Sequence, residues 1–180
     1  MKSCALVFNG FLWLLALAFA AGCGTPEERK QRKQFSNIRI HMESESRGDL
    51  SAAVEVLRSA PMRLNIEREP LLDEHNVVAA SLEEQVGGFA VRVKFDRQGA
   101  WILERASVMG RGRHLAIHSS FGQERWLAAP LITGKNSTGE IVFTPDCTRE
   151  EAERFVRGLN NVARKLQKDQ NWPFRSPIDK

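Results

Sequence analysis

The stretch GGFAVRVKFDRQGAWILERASVMG, residues 87–110, decides the fold class. After a Gly-Gly turn, apolar and polar residues alternate from Phe89 to Phe95, which is typical of a half-buried strand. Asp96 then stands as the cap of a helix of about three turns, and Gly110 suits its C-terminal end. The residues expected on the buried face of this helix are Ile102, Leu103, Ala106 and Met109. The stretch therefore predicts a helix packed on a sheet.

Shorter segments on both sides of this stretch also alternate with a period of two. We expect strands at residues 38–42, 52–56, 62–66, 80–86, 115–117, 126–132 and 139–143. The segments on either side of Gly87-Gly88 predict a hairpin. Residues 73–78 predict one helical turn with Asp73 as its cap.

The second long helix is the clearest single element of the sequence. Its apolar residues recur at spacings of three and four, as on the buried stripe of a helix. They are Ala152, Phe155, Val156, Leu159, Val162, Ala163 and Leu166. Thr148 followed by Glu151 predicts a capping box at its start. The whole pattern predicts an α+β fold, a mostly antiparallel mixed sheet with two amphipathic helices packed on one face.

The first residues are typical of a bacterial secretion signal. Lys2 precedes an apolar run over residues 4–21, and the run ends in small residues. The closing sequence Ala20-Ala21-Gly22-Cys23 resembles a lipobox, which implies cleavage before Cys23 and lipidation of its sulfur. A plain cleaved signal or an uncleaved anchor helix is the alternative.

These patterns divide the chain into four parts. We expect a signal peptide at 1–22, a lipidated cysteine and charged tether at 23–35, one α+β domain at 36–167 and an irregular tail at 168–180. The formal net charge of +4 is small and spread over the chain, so an exported protein of this kind is not expected to bind nucleic acid. The expected location is the cell envelope, lipid-anchored to a membrane and facing the periplasm or the exterior.

A series of short motifs over residues 77–166 has the order and spacing of a known family. They are Phe95-Asp96, Gly99-Ala100, Gly112-Arg113, Leu115-Ala116-Ile117, Ala129-Pro130, Ile132, Thr148, Glu150-Glu151-Ala152 and Leu159. This segment resembles the periplasmic head subdomain of SecD, a membrane-embedded subunit of the bacterial protein-export machinery. The resemblance implies the same fold and contact with emerging polypeptide. It does not extend to proton-driven export, because no apolar run after Cys23 is long enough to span a membrane.

The thiols and histidines offer an alternative, enzymatic interpretation. Cys4 is expected to leave with the signal and Cys23 to carry lipid, so no internal disulfide framework is expected around Cys147. Its place at a helix start would lower the pKa of its thiol, as in a reactive cysteine; the alternative is a small, partly buried residue. His114 and His118 would face one side of a strand, but a zinc site needs at least a third ligand.

Other motifs do not reach a catalytic pattern. Gly110-Arg111-Gly112-Arg113 does not open a helix after a strand, as a phosphate loop does, and Ser119-Ser120 lacks a nucleophile elbow. The sequence therefore predicts no catalytic residues, no metal and no cofactor.

Aromatic and arginine residues are enriched in the centres of protein interfaces. Phe121, Arg125 and Trp126 are accordingly the predicted interface residues, with Trp101 and Trp172 as further aromatics; the alternative is that Trp101 and Trp126 pack between sheet and helices. The leading hypothesis is a membrane-tethered, non-catalytic envelope lipoprotein that binds a protein or peptide on the sheet face not covered by helices. The alternatives are a thiol or metal-dependent small enzyme, using Cys147 or His114 and His118, and a purely structural envelope lipoprotein.

Overall fold

The computed structural model describes residues 26–45, 48–57 and 60–170. The predicted signal peptide, Cys23 and the end of the predicted tail with Trp172 lie outside the described residues. Within the predicted tether, α1 spans Pro26–Arg32 and belongs to a unit separate from the domain that begins at Lys33. None of the described helices is long and apolar enough to cross a membrane.

The domain is built from antiparallel strands and two longer helices. Its elements in chain order are β1 Asn37–Met42, β2 Ser51–Val56, β3 Met62–Glu67, β4 Leu72–Asp73, a 3-10 turn Glu74–Asn76, β5 Val77–Gln85, β6 Gly88–Phe95, α2 Arg97–Met109, β7 Leu115–Ser120, β8 Glu124–Ala128, β9 Glu140–Phe143 and α3 Arg149–Gln170. The strands pair in the orders β4-β1-β7-β8, β2-β3 and β5-β6-β9. All of these pairings are antiparallel, which confirms the predicted α+β class.

Local capping chemistry sets both ends of α2 and the start of α3 as the sequence predicts. Asp96 caps α2, because its Oδ1 accepts the amide of Gly99 at 2.7 Å, and the helix ends at Gly110. At the start of α3 the Thr148 amide donates to Glu151 Oε2 at 2.9 Å, and the Glu151 amide donates back to Thr148 Oγ1 at 3.3 Å. The predicted capping box is therefore confirmed.

Several element boundaries differ from the prediction, among them the ends of β8 and of α3. The strand expected at 126–132 is wrong in its extent, because β8 ends at Ala128 and Pro130 has no amide hydrogen to continue a ladder. Leu131 instead forms an isolated antiparallel bridge with His114. The last helix also runs to Gln170, three residues beyond the expected domain end.

The main hydrophobic core joins the helices to the four-stranded and three-stranded sheets. Ile38 and Ile40 of β1, Leu103 of α2 and Phe155 and Leu159 of α3 are almost fully buried in it. Burial of each such side chain contributes about 2 kcal/mol relative to exposure. Both long helices are thus anchored to the same core through one stripe each.

A second, smaller core lies where the sequence predicts an open sheet face. Val56 of β2 and Leu64 and Ile66 of β3 pack there with Ala116 of β7, and Trp126 lies against this cluster. The β2-β3 hairpin therefore covers part of the face that the helices leave free. The expectation that this face is the contact surface is corrected at these positions.

Candidate functional site

The three predicted interface residues do not form one continuous surface. Phe121 is 6% exposed and belongs to the main core. The Arg125 guanidinium lies 5.1 Å from the centre of the Phe121 ring, and its Nη2 donates to Glu151 Oε2 at 2.7 Å. Neighbouring residues of a strand point to opposite faces, and Trp126 accordingly packs on the hairpin side. Contact of a partner with any of the three stays a prediction.

Trp126 lies between two histidine rings. The His118 ring is centred 4.9 Å and the His41 ring 5.5 Å from it, both in edge-on geometry, and His41 Nδ1 is 2.8 Å from the carbonyl oxygen of Glu67. Burial lowers the pKa of both histidines below the usual value. The positive charge of Arg39 adds to this effect. The cluster is a packed layer between sheet and hairpin in which the neutral imidazoles are favoured.

The residues of the enzymatic alternative are dispersed. His114 Nδ1 lies 2.7 Å from the Glu43 carboxylate, whereas His118 packs on Trp126, so the two histidines have different partners. Cys147 is partly buried against the main core. Among the described residues, no three His, Cys, Asp or Glu side chains come together as metal ligands.

The outer face of the β5-β6-β9 sheet is polar and neutralises its own charge. Arg92 lies between Glu83 and Glu140 and pairs with both; its Nη1 is 2.6 Å from Glu140 Oε2. The hydrogen bonds to Glu83 and then Glu140 raise the pKa of Arg92, and the bond to Arg92 lowers the pKa of Glu83. Since these charges are already satisfied, this face has little attraction for a further charged group.

The outward side of α2 carries exposed apolar residues where a surface helix is usually polar. Trp101 is 60%, Val108 58% and Met109 67% exposed. Spacings of four, three and one place Trp101, Arg105, Val108 and Met109 on one stripe, opposite the buried Leu103 and Ala106. We call this stripe, with Arg97 one turn before Trp101, the α2 surface.

Two sequence expectations about this helix are corrected. Met109, expected on the buried face, is exposed, because that face is filled by Gly99, Leu103, Ala106 and Ser107. The alternative interpretation placed Trp101 between sheet and helices, but its side chain faces outward as well. The missed signal was the four-residue spacing of Arg97, Trp101 and Arg105, which repeats large exposed side chains along one side of the helix.

A groove of about 270 Å³ adjoins the α2 surface. Its apolar lining comes from β1, α2 and the segment before β4, and comprises Met42, Leu71, Ile102 and Ala106. Trp101 and Met109 form part of its rim together with Glu67, Arg105 and Arg113. In this groove, buried apolar surface continues directly into exposed apolar side chains. We call it the α2 groove.

The arginines around the α2 groove form no salt bridge with a carboxylate in the described part of the chain. The Arg105 guanidinium lies 5.8 Å from the centre of the Trp101 ring, and Arg113 donates to the carbonyl oxygens of Glu43 at 3.2 Å and Met109 at 3.4 Å. Glu104, the acidic residue beside Arg105, is bound by Lys135 at 2.6 Å. The salt bridges formed by the described residues include none to Arg97, Arg105, Arg111 or Arg113.

Solved structures of other proteins have a fold similar to that of this domain. One is a structure of SecDF, described as "a membrane component … that enhances protein export", which matches with a TM-score of 0.53 and 17% sequence identity. The match covers 78% of this chain and 70% of that chain. Another, of SecDF in a super-membrane-facing form, has a TM-score of 0.52 at 17% identity, over 77% of this chain and 21% of that chain. No protein-family model and no curated protein sequence matches the chain. The domain is therefore SecD-like in fold, which confirms the resemblance expected from the sequence.

Proposed function

We propose that this chain is a membrane-tethered, non-catalytic module of the bacterial cell envelope that binds a polypeptide partner at the α2 surface and in the α2 groove. One observation carries the proposal: Trp101, Val108 and Met109 are exposed together on a helix whose other side is fully packed. Several large apolar side chains exposed along one side of a helix are typical of an interaction site.

The energetics of the patch favour a macromolecular partner. Removing apolar surface from water contributes roughly 25 cal/mol for each Å², and Trp is among the side chains that most often dominate binding energy. The groove beside Trp101 offers an apolar lining into which a partner's side chain fits. Binding by burial alone needs no catalytic group, which agrees with the dispersed positions of Cys147, His114 and His118.

The fold and the sequence of the first residues support the cellular setting of the proposal. The similar SecDF is a membrane component that enhances protein export, so an exported or export-related polypeptide is the class of partner we propose. The tether is proposed from Ala20-Ala21-Gly22-Cys23, which implies a lipid on Cys23. A purely structural lipoprotein, in contrast, would have no saturable partner.

Site-specific photocrosslinking in native envelopes tests the binding site. A photoreactive amino acid at Val108 is compared with the same group at Val86, an exposed apolar residue in the β5-β6 turn. We expect polypeptide adducts from position 108 and few from position 86. Equal adduct yields from the two positions would refute binding at α2.

The tether is tested separately by fractionation of the variant Cys23→Ala. We expect the wild type in the membrane fraction and the variant released from it. A variant that stays in the membrane fraction would count against the lipid anchor and would leave the proposed binding site untouched.

A further inference from the structure

The lining of the α2 groove carries more positive than negative charge. Arg105 and Arg113 line the groove, and Glu67 is the carboxylate that lines it within the described part of the chain. Two more arginines without salt bridges to described residues, Arg97 and Arg111, lie on α2 and just beyond its end. Elsewhere the domain pairs Arg63, Arg92, Arg125 and Arg149 with carboxylates. At the α2 groove, arginines that form no salt bridge to a described residue therefore lie beside an apolar lining.

The two groove arginines are placed for recognition rather than for internal stability. The backbone carbonyls of Glu43 and Met109 hold Arg113 in a half-buried position, so its guanidinium is oriented before any partner arrives. Arg105 is exposed and stacks on the rim residue Trp101. A guanidinium binds a carboxylate through two parallel hydrogen bonds, and an oriented guanidinium loses less entropy when it does so.

On this basis we propose that the α2 groove selects apolar polypeptide segments that carry an Asp or Glu beside the apolar anchor. This inference rests on the proposed function and adds the chemical class of its partner. The anchor side chain fills the space over Leu71 and Ile102, and the neighbouring carboxylate binds Arg105 or Arg113. A polypeptide fits better than an anionic bilayer, because the site is a groove with an apolar floor into which a single side chain can insert.

Fluorescence anisotropy with three labelled peptides tests the selectivity on the purified full chain. The peptides share one apolar anchor and differ only in the flanking residues, which are Glu, Gln or Lys. We expect the Glu peptide to bind about tenfold more tightly than the Gln peptide at low salt, and the Lys peptide most weakly. The preference should shrink as salt is raised to about 0.15 M, because exposed charges are screened.

Matched variants assign the preference to the groove. Arg105→Gln and Arg113→Gln should each reduce the preference for the Glu peptide, whereas Arg63→Gln, which removes an exposed cation on β3, should leave it unchanged. Equal binding of the Glu and Gln peptides would overturn the inference and leave the proposed function standing. Failure of all three peptides to bind would overturn both.

Binding to lipid vesicles tests the competing interpretation, in which the surface recognises anionic lipid. The Cys23→Ala variant, with no site for the predicted lipid, is mixed with vesicles of phosphatidylcholine alone or with phosphatidylglycerol. We expect no binding that depends on Arg105. Binding to the phosphatidylglycerol vesicles that is lost in Arg105→Gln, without a preference among the peptides, would show that the surface recognises lipid and would overturn the inference.

Discussion

Arg125 and Thr148 donate to the same oxygen of Glu151. The Arg125 Nη2 lies 2.7 Å and the Thr148 amide 2.9 Å from Glu151 Oε2. One carboxylate therefore caps α3 and also neutralises an arginine side chain that is 10% exposed on β8. The Nε and Nη1 of Arg125 are buried without hydrogen-bond partners among the described residues, so Glu151 is the main compensation for that charge.

Glu151→Ala is expected to destabilise the domain by about 3 kcal/mol, because it leaves the buried charge of Arg125 unpaired. Thr148→Ala removes only the hydroxyl half of the capping box and should cost about 1 kcal/mol. Urea unfolding of both variants measures the difference. Equal losses in the two variants would mean that the ion pair adds nothing beyond the cap.

Gly158 of α3 is required by the close approach of Ser36. A Cβ atom built on Gly158 would lie 2.7 Å from the Ser36 amide nitrogen, which is part of the backbone and cannot rotate away. Gly158→Ala should therefore destabilise the domain by about 1–3 kcal/mol, although alanine favours helices. Gly134→Ala, where nothing lies within 4 Å, is the matched control and should be nearly neutral in thermal unfolding.

The elements that the sequence predicted correctly are those set by neighbouring residues. The Gly87-Gly88 turn, the Asp96 cap and the Thr148–Glu151 box each depend on groups a few residues apart, so their patterns are visible in the sequence. The capped start and apolar stripe of α3 also place Phe155 in the core correctly. Local chemistry thus accounts for most of the element assignments.

The unpredicted features depend on contacts between distant segments. Whether the β2-β3 hairpin pairs into the main sheet or folds over Ala116 depends on packing that period-two alternation does not encode. The same limit applies to the candidate site, because Met109 matches a buried helical position by spacing alone. Its exposure follows from where α2 meets the core through Leu103 and Ala106.

The histidines beside Trp126 should make stability depend on pH. Burial lowers the pKa of His118 in the folded domain below 6.5, the usual value that applies to the unfolded chain. Glu124 opposes this shift, while His41 and Arg39 add to it. Below about pH 6.5 the unfolded chain binds more protons than the folded domain, so stability decreases as the pH falls toward the lower folded pKa.

His118→Phe tests this dependence, because it keeps an aromatic ring beside Trp126 and removes one titrating group. Between pH 7 and pH 5 the variant should lose less unfolding free energy than the wild type, by at most about 1.4 kcal/mol per pH unit. Urea titrations at several pH values provide the comparison. Equal losses of unfolding free energy between pH 7 and pH 5 in the two proteins would contradict a role of His118 in the pH dependence of stability.

Replacement of Trp101 should weaken peptide binding and leave the stability of the domain almost unchanged. Because Trp101 is 60% exposed, Trp101→Ala should change the free energy of unfolding by no more than about 0.5 kcal/mol. Its loss should nevertheless weaken binding of the Glu-flanked peptide about tenfold or more, as expected for a tryptophan at the centre of an interface.

Leu50→Ala is the matched control, since Leu50 is also an exposed apolar residue but precedes β2, away from α2 in the sequence. It should leave both unfolding and peptide binding unchanged. Of the two variants, only Trp101→Ala is expected to combine unchanged stability with weakened binding. A Trp101→Ala variant that unfolds at lower urea concentration and still binds the peptide normally would show that Trp101 supports the fold, and would remove the observation on which the proposed site depends.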